Sequence, residues 1–315
     1  MAVRNESRVT QFILLGLSSA PELEIVFFLI FLIVYLFTIT GNVLIMVTIY
    51  MNSNLHSPMY FFLSHLSFLD LCFSTVTVPK SLVNFVSQSK TISLNDCIAQ
   101  LFFFHSFGGA EVITLTLMAY DRYVAICNPL RYTTIMSRRT CLYMLIPSWV
   151  GGLFHGFMQA LPTFQLSFCG PNEIDHFFCE LRPLSLLACT SIFFSETVSM
   201  ANSGSLALGC FLVLLISYIY IISTILKIHS AEGRRKAFST CASHLLVVTL
   251  FFGPCLYIYM RPLVTFSTDK MVSVFYTILT PLLNPIIYTL RNEEVKKAMT
   301  RLRGTKVSFP EKHIN

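Results

Sequence analysis

The stretch IVFFLIFLIVYLFTITGNVLIMVTIY, Ile25–Tyr50, contains no charged residue. A helix crossing roughly 30 Å of hydrocarbon needs about 20 mostly apolar residues, so this run is long enough to span a bilayer. Working outward from it, six more runs of the same kind follow. Pro58–Pro79 holds only Asp70, and Ile98–Tyr120 holds only Glu111. Thr140–Pro162, Thr197–Leu226, Ala237–Met260 and Met271–Leu290 hold no charge at all. The spacing predicts an all-α membrane protein, a seven-transmembrane helix bundle with spans at 25–50, 58–79, 98–122, 140–162, 197–226, 237–260 and 271–290.

Composition agrees with lipid as the main solvent. Of 315 residues, 54% are hydrophobic and 12% charged, with a mean hydropathy of +0.67. Soluble domains carry about 25% charged residues. No linker or charge block divides the chain, so one bundle is expected, with residues 1–24 before it and 291–315 after it. If the N-terminus lies outside, 15 of the 22 Lys and Arg residues fall on the cytoplasmic side. The positive-inside rule favours that orientation in a multi-pass topology. The net charge of +6 is then a topology signal rather than a footprint for nucleic acid. Phe12–Leu17 is too short an apolar stretch for a signal peptide, which leaves the first span as an uncleaved anchor. Asn5-Glu6-Ser7 is the one glycosylation sequon and falls on the outer side.

Ten cysteines sort by compartment. Cys72, Cys210, Cys241 and Cys255 lie within spans, and Cys127 and Cys141 near the inner face, where reduced thiols are the ordinary state. Cys97, Cys169, Cys179 and Cys189 all fall outside, where disulfides persist. Four cysteines allow three pairings, and spacing does not choose among them. Zinc, with His176 nearby, is the rival to disulfides. The loop from Thr163 to Glu196 is long for a connection without an evident element, and its three cysteines suggest a pinned lid.

Ionisable groups inside a membrane are costly and point to function. Asp70 and Glu111 are such groups, either as two protonated acids or as a shared cation or proton site. Arg122, flanked by Asp121 and Tyr123, sits at the inner end of span three. Asn284-Pro285-Ile286-Ile287-Tyr288 places a proline in span seven, where a lost hydrogen bond lets a helix bend. Val295, Met299 and Leu302 alternate with Lys296, Lys297 and Arg301, which suits a helix lying on an anionic lipid surface. No nucleophile–base or metal motif of an enzyme is present. There are no inverted repeats or paired broken helices of a transporter.

LHSPMY at 55–60, MAYDRYVAIC at 118–127, KAFSTCASHL at 236–245 and PLLNPIIY at 281–288 together resemble a rhodopsin-like G-protein-coupled receptor. More narrowly, they resemble an olfactory receptor of the tetrapod-type class, over roughly Gly41 to Ala298. The resemblance implies an odorant receptor of olfactory neuron cilia, binding small neutral volatiles and activating a stimulatory, olfactory-type heterotrimeric G protein to raise cyclic AMP. A non-olfactory rhodopsin-like chemoreceptor for a small metabolite is the alternative. For ligand contact the resemblance implies Phe104, His105, Gly108, Gly109 and Val112 on span three and Asn202, Ser203 and Leu206 on span five. On span six it implies Phe252, Cys255, Leu256 and Tyr259, and on span seven Tyr276 and Leu279. For coupling it implies Asp121, Arg122, Tyr123, Tyr218, Asn284, Pro285 and Tyr288. It also implies a Cys97–Cys179 bridge, with Cys169–Cys189 as the second, and a sodium site at Asp70, Glu111 and Asn284, with no other cofactor. Two departures stand out. Phe252 occupies a position where many relatives carry tyrosine. Arg234-Arg235-Lys236 lacks the acid that many rhodopsin-like receptors use to latch the third-helix arginine.

Overall fold

The computed structural model describes residues 9–18, 20–169, 171–259 and 268–304, with only the backbone at positions 236, 240, 259, 290, 291, 293 and 302–304. Seven helices in it are long and apolar enough to cross a membrane. In chain order they are α1 (Pro21–Met51), α2 (Pro58–Val86), α3 (Leu94–Cys127), α4 (Arg138–Ala160), α5 (Phe193–Leu226), α6 (Ala231–Tyr259) and α7. The last, α7, joins Asp269–Val274, a π-helical turn Phe275–Leu279, and Thr280–Arg291. A short helix, α8 (Glu293–Gly304), completes the chain described. Three short strands, β1 (Gln11–Leu14), β2 (Thr91–Ser93) and β3 (Glu173–Ile174), cap one end.

Local chemistry explains the ends. Proline opens α1 and α2 at a position whose N–H would be unpaired anyway. Ser93 caps α3 by accepting from the Asp96 N–H at 3.1 Å, and Ser137 caps α4 from Thr140 at 3.2 Å. Asn292 Oδ1 accepts from the backbone N–H groups of Glu294 and Val295, which starts α8. Several helices run past the charge-free runs. α2 continues through Lys80 to Val86, and α6 begins at Ala231, before the Arg234-Arg235-Lys236 cluster. Turns beyond the hydrocarbon can carry charge at no desolvation cost, so charge marks where lipid stops rather than where a helix stops.

The tightest contact is between α3 and α4. A Cβ on Gly152 would lie 2.5 Å from the Ser106 carbonyl oxygen, and one on Gly156 would lie 2.5 Å from that of Phe102. Two glycines one turn apart thus let the backbones meet, the small-residue packing common in membranes. At the opposite extreme α1 is mostly exposed, as befits a helix that faces lipid on most of its circumference.

The capping sheet has the order β2-β1-β3. β1 pairs antiparallel with β2 (Phe12 opposite Ile92) and parallel with β3 (Leu14 opposite Ile174). The N-terminal apolar stretch therefore packs Phe12 and Leu14, both fully buried, into the cap. Asn5 and residues 305–315 lie outside the described residues.

Candidate functional site

Cys97, in the first turn of α3, is bonded to Cys179, and Cys169 to Cys189, both across the loop between α4 and α5. The first bridge pulls Phe177 and Phe178 down onto the bundle. Gln100 fixes them there, accepting from the Cys179 N–H at 2.8 Å and donating to the Val76 carbonyl at 2.9 Å. Ser81 donates to the Phe177 carbonyl at 3.2 Å. Phe178 meets Phe104 with ring centroids 4.9 Å apart, so the lid rests on α3. His176 is packed beneath it, its Nε2 3.3 Å from a Glu180 carboxylate oxygen. Burial pushes its pKa down to about 3, helped by Lys270, so the imidazole is neutral and this contact is not an ion pair.

Under the lid lies a cavity of about 80 Å³. Since one water needs about 10–15 Å³ on this scale, the space fits roughly six waters or one small organic guest. α3 contributes Phe104, His105, Gly108, Gly109 and Val112; α5 contributes Ser203, Leu206 and Ala207; α6 contributes Phe251, Phe252, Cys255 and Leu256. Tyr276 from α7, Phe73 from α2 and His155 from α4 close it. Gly108 makes the space, because a Cβ there would stand 3.2 Å from the Phe73 ring. Among the described residues no carboxylate lines this cavity. A larger, charged cavity of about 310 Å³ lies beside the lid, lined in part by Asp175, His176, Glu180, Arg182, Asp269 and Lys270.

Deeper in the bundle, Asp70 and Glu111 are both fully buried and interact electrostatically. The Asn284 amide donates to both Asp70 oxygens, at 2.9 and 3.1 Å. Glu111 meets the side chains of Asp70 and Asn284, while Asn284 Oδ1 and the Tyr288 hydroxyl have no hydrogen-bond partner. Buried polar atoms are seldom left so, and two of them beside a pair of carboxyl groups fit a guest cation or water.

At the end opposite the lid, Arg122 is 6% exposed. Asp121 accepts from the Tyr132 hydroxyl at 2.8 Å, and among the described residues no ion pair joins it to Arg122. The closure of α6 onto α3 runs instead through His244, fully buried. Its Nε2 lies 3.0 Å from the Leu115 carbonyl and its Nδ1 2.7 Å from the Tyr218 hydroxyl. A carbonyl only accepts, so Nε2 carries the hydrogen and Tyr218 donates to Nδ1. Tyr60 ties α2 to α8 by donating to Glu294 at 2.6 Å. In α8, Val295 and Ala298 are buried while Lys296 and Lys297 are exposed.

A profile of the olfactory receptor family matches residues 31–306. Human olfactory receptor 4S2 is 56% identical over 301 residues, covering 96% of each chain. Mouse olfactory receptor 4E2 is 53% identical over 307 residues, 98% of this chain and 99% of the relative. The chain belongs to the olfactory receptor family. It is therefore a seven-helix, multi-pass membrane receptor and not an enzyme. In fold it also resembles the crystal structure of squid rhodopsin, with a TM-score of 0.71, 16% identity, and coverage of 90% of this chain and 81% of that one.

Within this olfactory receptor the expected contact residues divide. Eleven line the cavity. Asn202 does not, because its amide is engaged with the His155 carbonyl at 3.1 Å and holds α5 on α4. Leu279 does not either: it closes the π-helical turn, which is wider than an α-turn and rotates it off the face of Tyr276. The Tyr259 side chain lies outside the described residues. Phe73, His155, Ala207 and Phe251 were not expected. His155 had a sequence signal, standing three residues after Gly152 and so on the helix face that the Gly152–Gly156 pair presses against α3. His244 had one too, inside KAFSTCASHL. Pro285 lies within α7, with the Cγ of its ring 3.2 Å from where a Gly41 Cβ would be. Tyr123 packs edge-on against Tyr220 of α5, centroids 5.9 Å apart.

Proposed function

We propose that this olfactory receptor binds small, neutral or weakly polar volatiles in the lidded cavity and activates a stimulatory, olfactory-type G protein, raising cyclic AMP. The observation that carries the reading is the cavity itself: lined by apolar and aromatic groups with a few polar ones and, among the described residues, by no carboxylate. An ammonium ion placed there would lose its hydration without compensation. Binding favours an arrangement in which the Arg122 end of α6 swings away from α3, and differential affinity supplies the shift. The opened cleft around Arg122 then takes the C-terminal helix of the Gα subunit, with Asn284-Pro285 as the flexible point of α7. The lid faces the cell exterior and α8 lies on the inner leaflet of the plasma membrane, in olfactory cilia. Sodium, or protons in its place, occupies the pocket of Asp70, Glu111 and Asn284 and stabilises the resting arrangement.

A volatile panel read by cyclic AMP in cells tests this. Neutral volatiles are expected to be the best agonists, and Arg122→Ala is expected to abolish the response at normal surface expression. Best agonists that are primary amines with potency following their protonated fraction would refute the ligand assignment. Normal signalling by Arg122→Ala would refute the coupling assignment.

A further inference from the structure

His155 projects from α4, a helix that otherwise presents Tyr143, Val150, Phe154 and Phe157 to lipid. Its placement is built rather than incidental. Gly152 and Gly156 bring α4 onto α3, and Gly109 leaves the gap into which the ring fits. A Cβ on Gly109 would stand 3.2 Å from His155 Cδ2 and 3.3 Å from its Cβ. The Asn202 amide holds the His155 carbonyl from the α5 side. The ring is 8% exposed, lines the cavity, and meets the His105 ring edge to face with centroids 5.5 Å apart. The Asn202 side chain also interacts with the ring, and Nδ1 is buried and meets no partner in hydrogen-bonding geometry. A desolvated imidazole nitrogen left without a partner is costly, and a guest that supplies one recovers that cost.

Ser203 completes the same end. Its Oγ accepts from the Gln159 amide at 2.6 Å, which leaves its own hydrogen to donate into the cavity. Val112, Phe251, Phe252 and Leu256 supply apolar lining, beside the Cys255 thiol. Histidine and serine groups thus come from α3, α4 and α5, and α6 contributes mostly hydrocarbon and aromatic surface.

We propose that His155, with His105 and Ser203, is the specificity-determining end of the cavity, selecting volatiles that carry one carbonyl or hydroxyl oxygen over hydrocarbons of the same skeleton. The proposal rests on the reading of this cavity as the ligand site. A hydroxyl would donate to His155 Nδ1 and accept from Ser203, whereas a carbonyl would accept from both. Sites built to pair a polar group discriminate strongly against analogues lacking it, because their own buried groups are then stranded.

The test uses the full-length receptor in lipid nanodiscs and a panel of matched triples (alkane, alcohol and ketone) on six-, eight- and ten-carbon skeletons. Binding is read as a shift in melting temperature across a concentration series. In wild type, the oxygenated members are expected to bind at least about tenfold more tightly than the alkane. His155→Leu should reduce that preference to under about threefold, and Ser203→Ala should weaken it. His155→Asn, which keeps a polar atom near the Nδ1 position, should retain most of it. Overturning results are an oxygen preference that survives His155→Leu, alkanes that bind as well as alcohols, or a panel in which no oxygenated member binds. If His155→Leu does not fold, carbethoxylation of His155 in wild type decides, followed by peptide mass spectrometry with and without 1-octanol. Protection supports the proposal, and equal labelling overturns it. Val112→Trp distinguishes the two levels: it should fill the cavity and remove binding of every member. Panel binding that survives Val112→Trp would refute the cavity reading itself, whatever His155 does.

Discussion

Replacing His244 with phenylalanine removes the bond that holds α6 on α3 while keeping a ring of similar size. One buried group loses its partner, the Tyr218 hydroxyl; the Leu115 carbonyl loses the bond from α6 but keeps its place in the α3 backbone ladder. A stranded buried group costs about 1–3 kcal/mol, so the closed arrangement loses on the order of 2 kcal/mol. When α6 swings away, water reaches the Tyr218 hydroxyl and the penalty disappears, so the substitution acts on the closed state alone. A difference of about 2 kcal/mol is roughly a 30-fold change in an equilibrium constant. A receptor active about 1% of the time at rest would become active about 20% of the time. The assay is basal cyclic AMP in cells, normalised to surface receptor, without added odorant. A many-fold rise in basal signal is expected, with the agonist response riding on a higher floor. Unchanged or lower basal signal at normal surface expression would refute the assignment of His244 as the latch.

Three further outcomes follow from the geometry. Sodium titrated at fixed pH should lower basal signalling in wild type and do so less in Glu111→Gln, since Glu111 brings a second buried carboxyl beside Asp70; identical responses would make the acids structural only. His176 is buried with its pKa lowered to about 3, so the folded lid binds fewer protons than the unfolded chain, and stability should fall as pH drops below about 6.5. At pH 5.5 that is about 1.4 kcal/mol for one such group, read as a lower melting temperature that His176→Asn should flatten; equal pH slopes would contradict it. Gly156→Ala drives a Cβ to 2.5 Å from the Phe102 carbonyl oxygen on a backbone that cannot yield, which should cost about 1–3 kcal/mol and reduce surface expression. Wild-type expression and melting temperature in that variant would show that the α3–α4 contact is looser than described.

The architecture was legible in the sequence because charge is excluded from hydrocarbon, and five uncharged runs with two more that hold a single acid each leave few other folds open. Helix ends were not, since α2 passes through Pro79 and Lys80 and α6 starts in a basic cluster, both in water where charge costs little. Strand β1 is four residues paired with segments some 80 and 160 positions away, a contact that no local pattern announces. Most of the cavity followed from family motifs on α3, α5 and α6. His155 escaped because α4 looks lipid-facing, and only its glycine spacing shows that one side is pressed into the bundle. Asn202 misled for the opposite reason: a polar residue at the right height is spent on joining two helices. Phe252 has no hydroxyl to donate, and the hydrogen bonds of α6 to α3 and α5 lie instead at His244, just over two turns nearer the Arg122 end.

The most direct test of the account is the structure of the full-length receptor bound to its strongest agonist and a stimulatory G protein. Ligand density is expected between Phe104, Val112 and Phe252, beneath the Cys97–Cys179 lid. The Arg122 end of α6 should be displaced, the His244–Leu115 bond broken, and the Gα C-terminal helix seated against Arg122. Ligand confined to the charged cavity beside the lid, or a G protein engaged while His244 still holds Leu115, would contradict it.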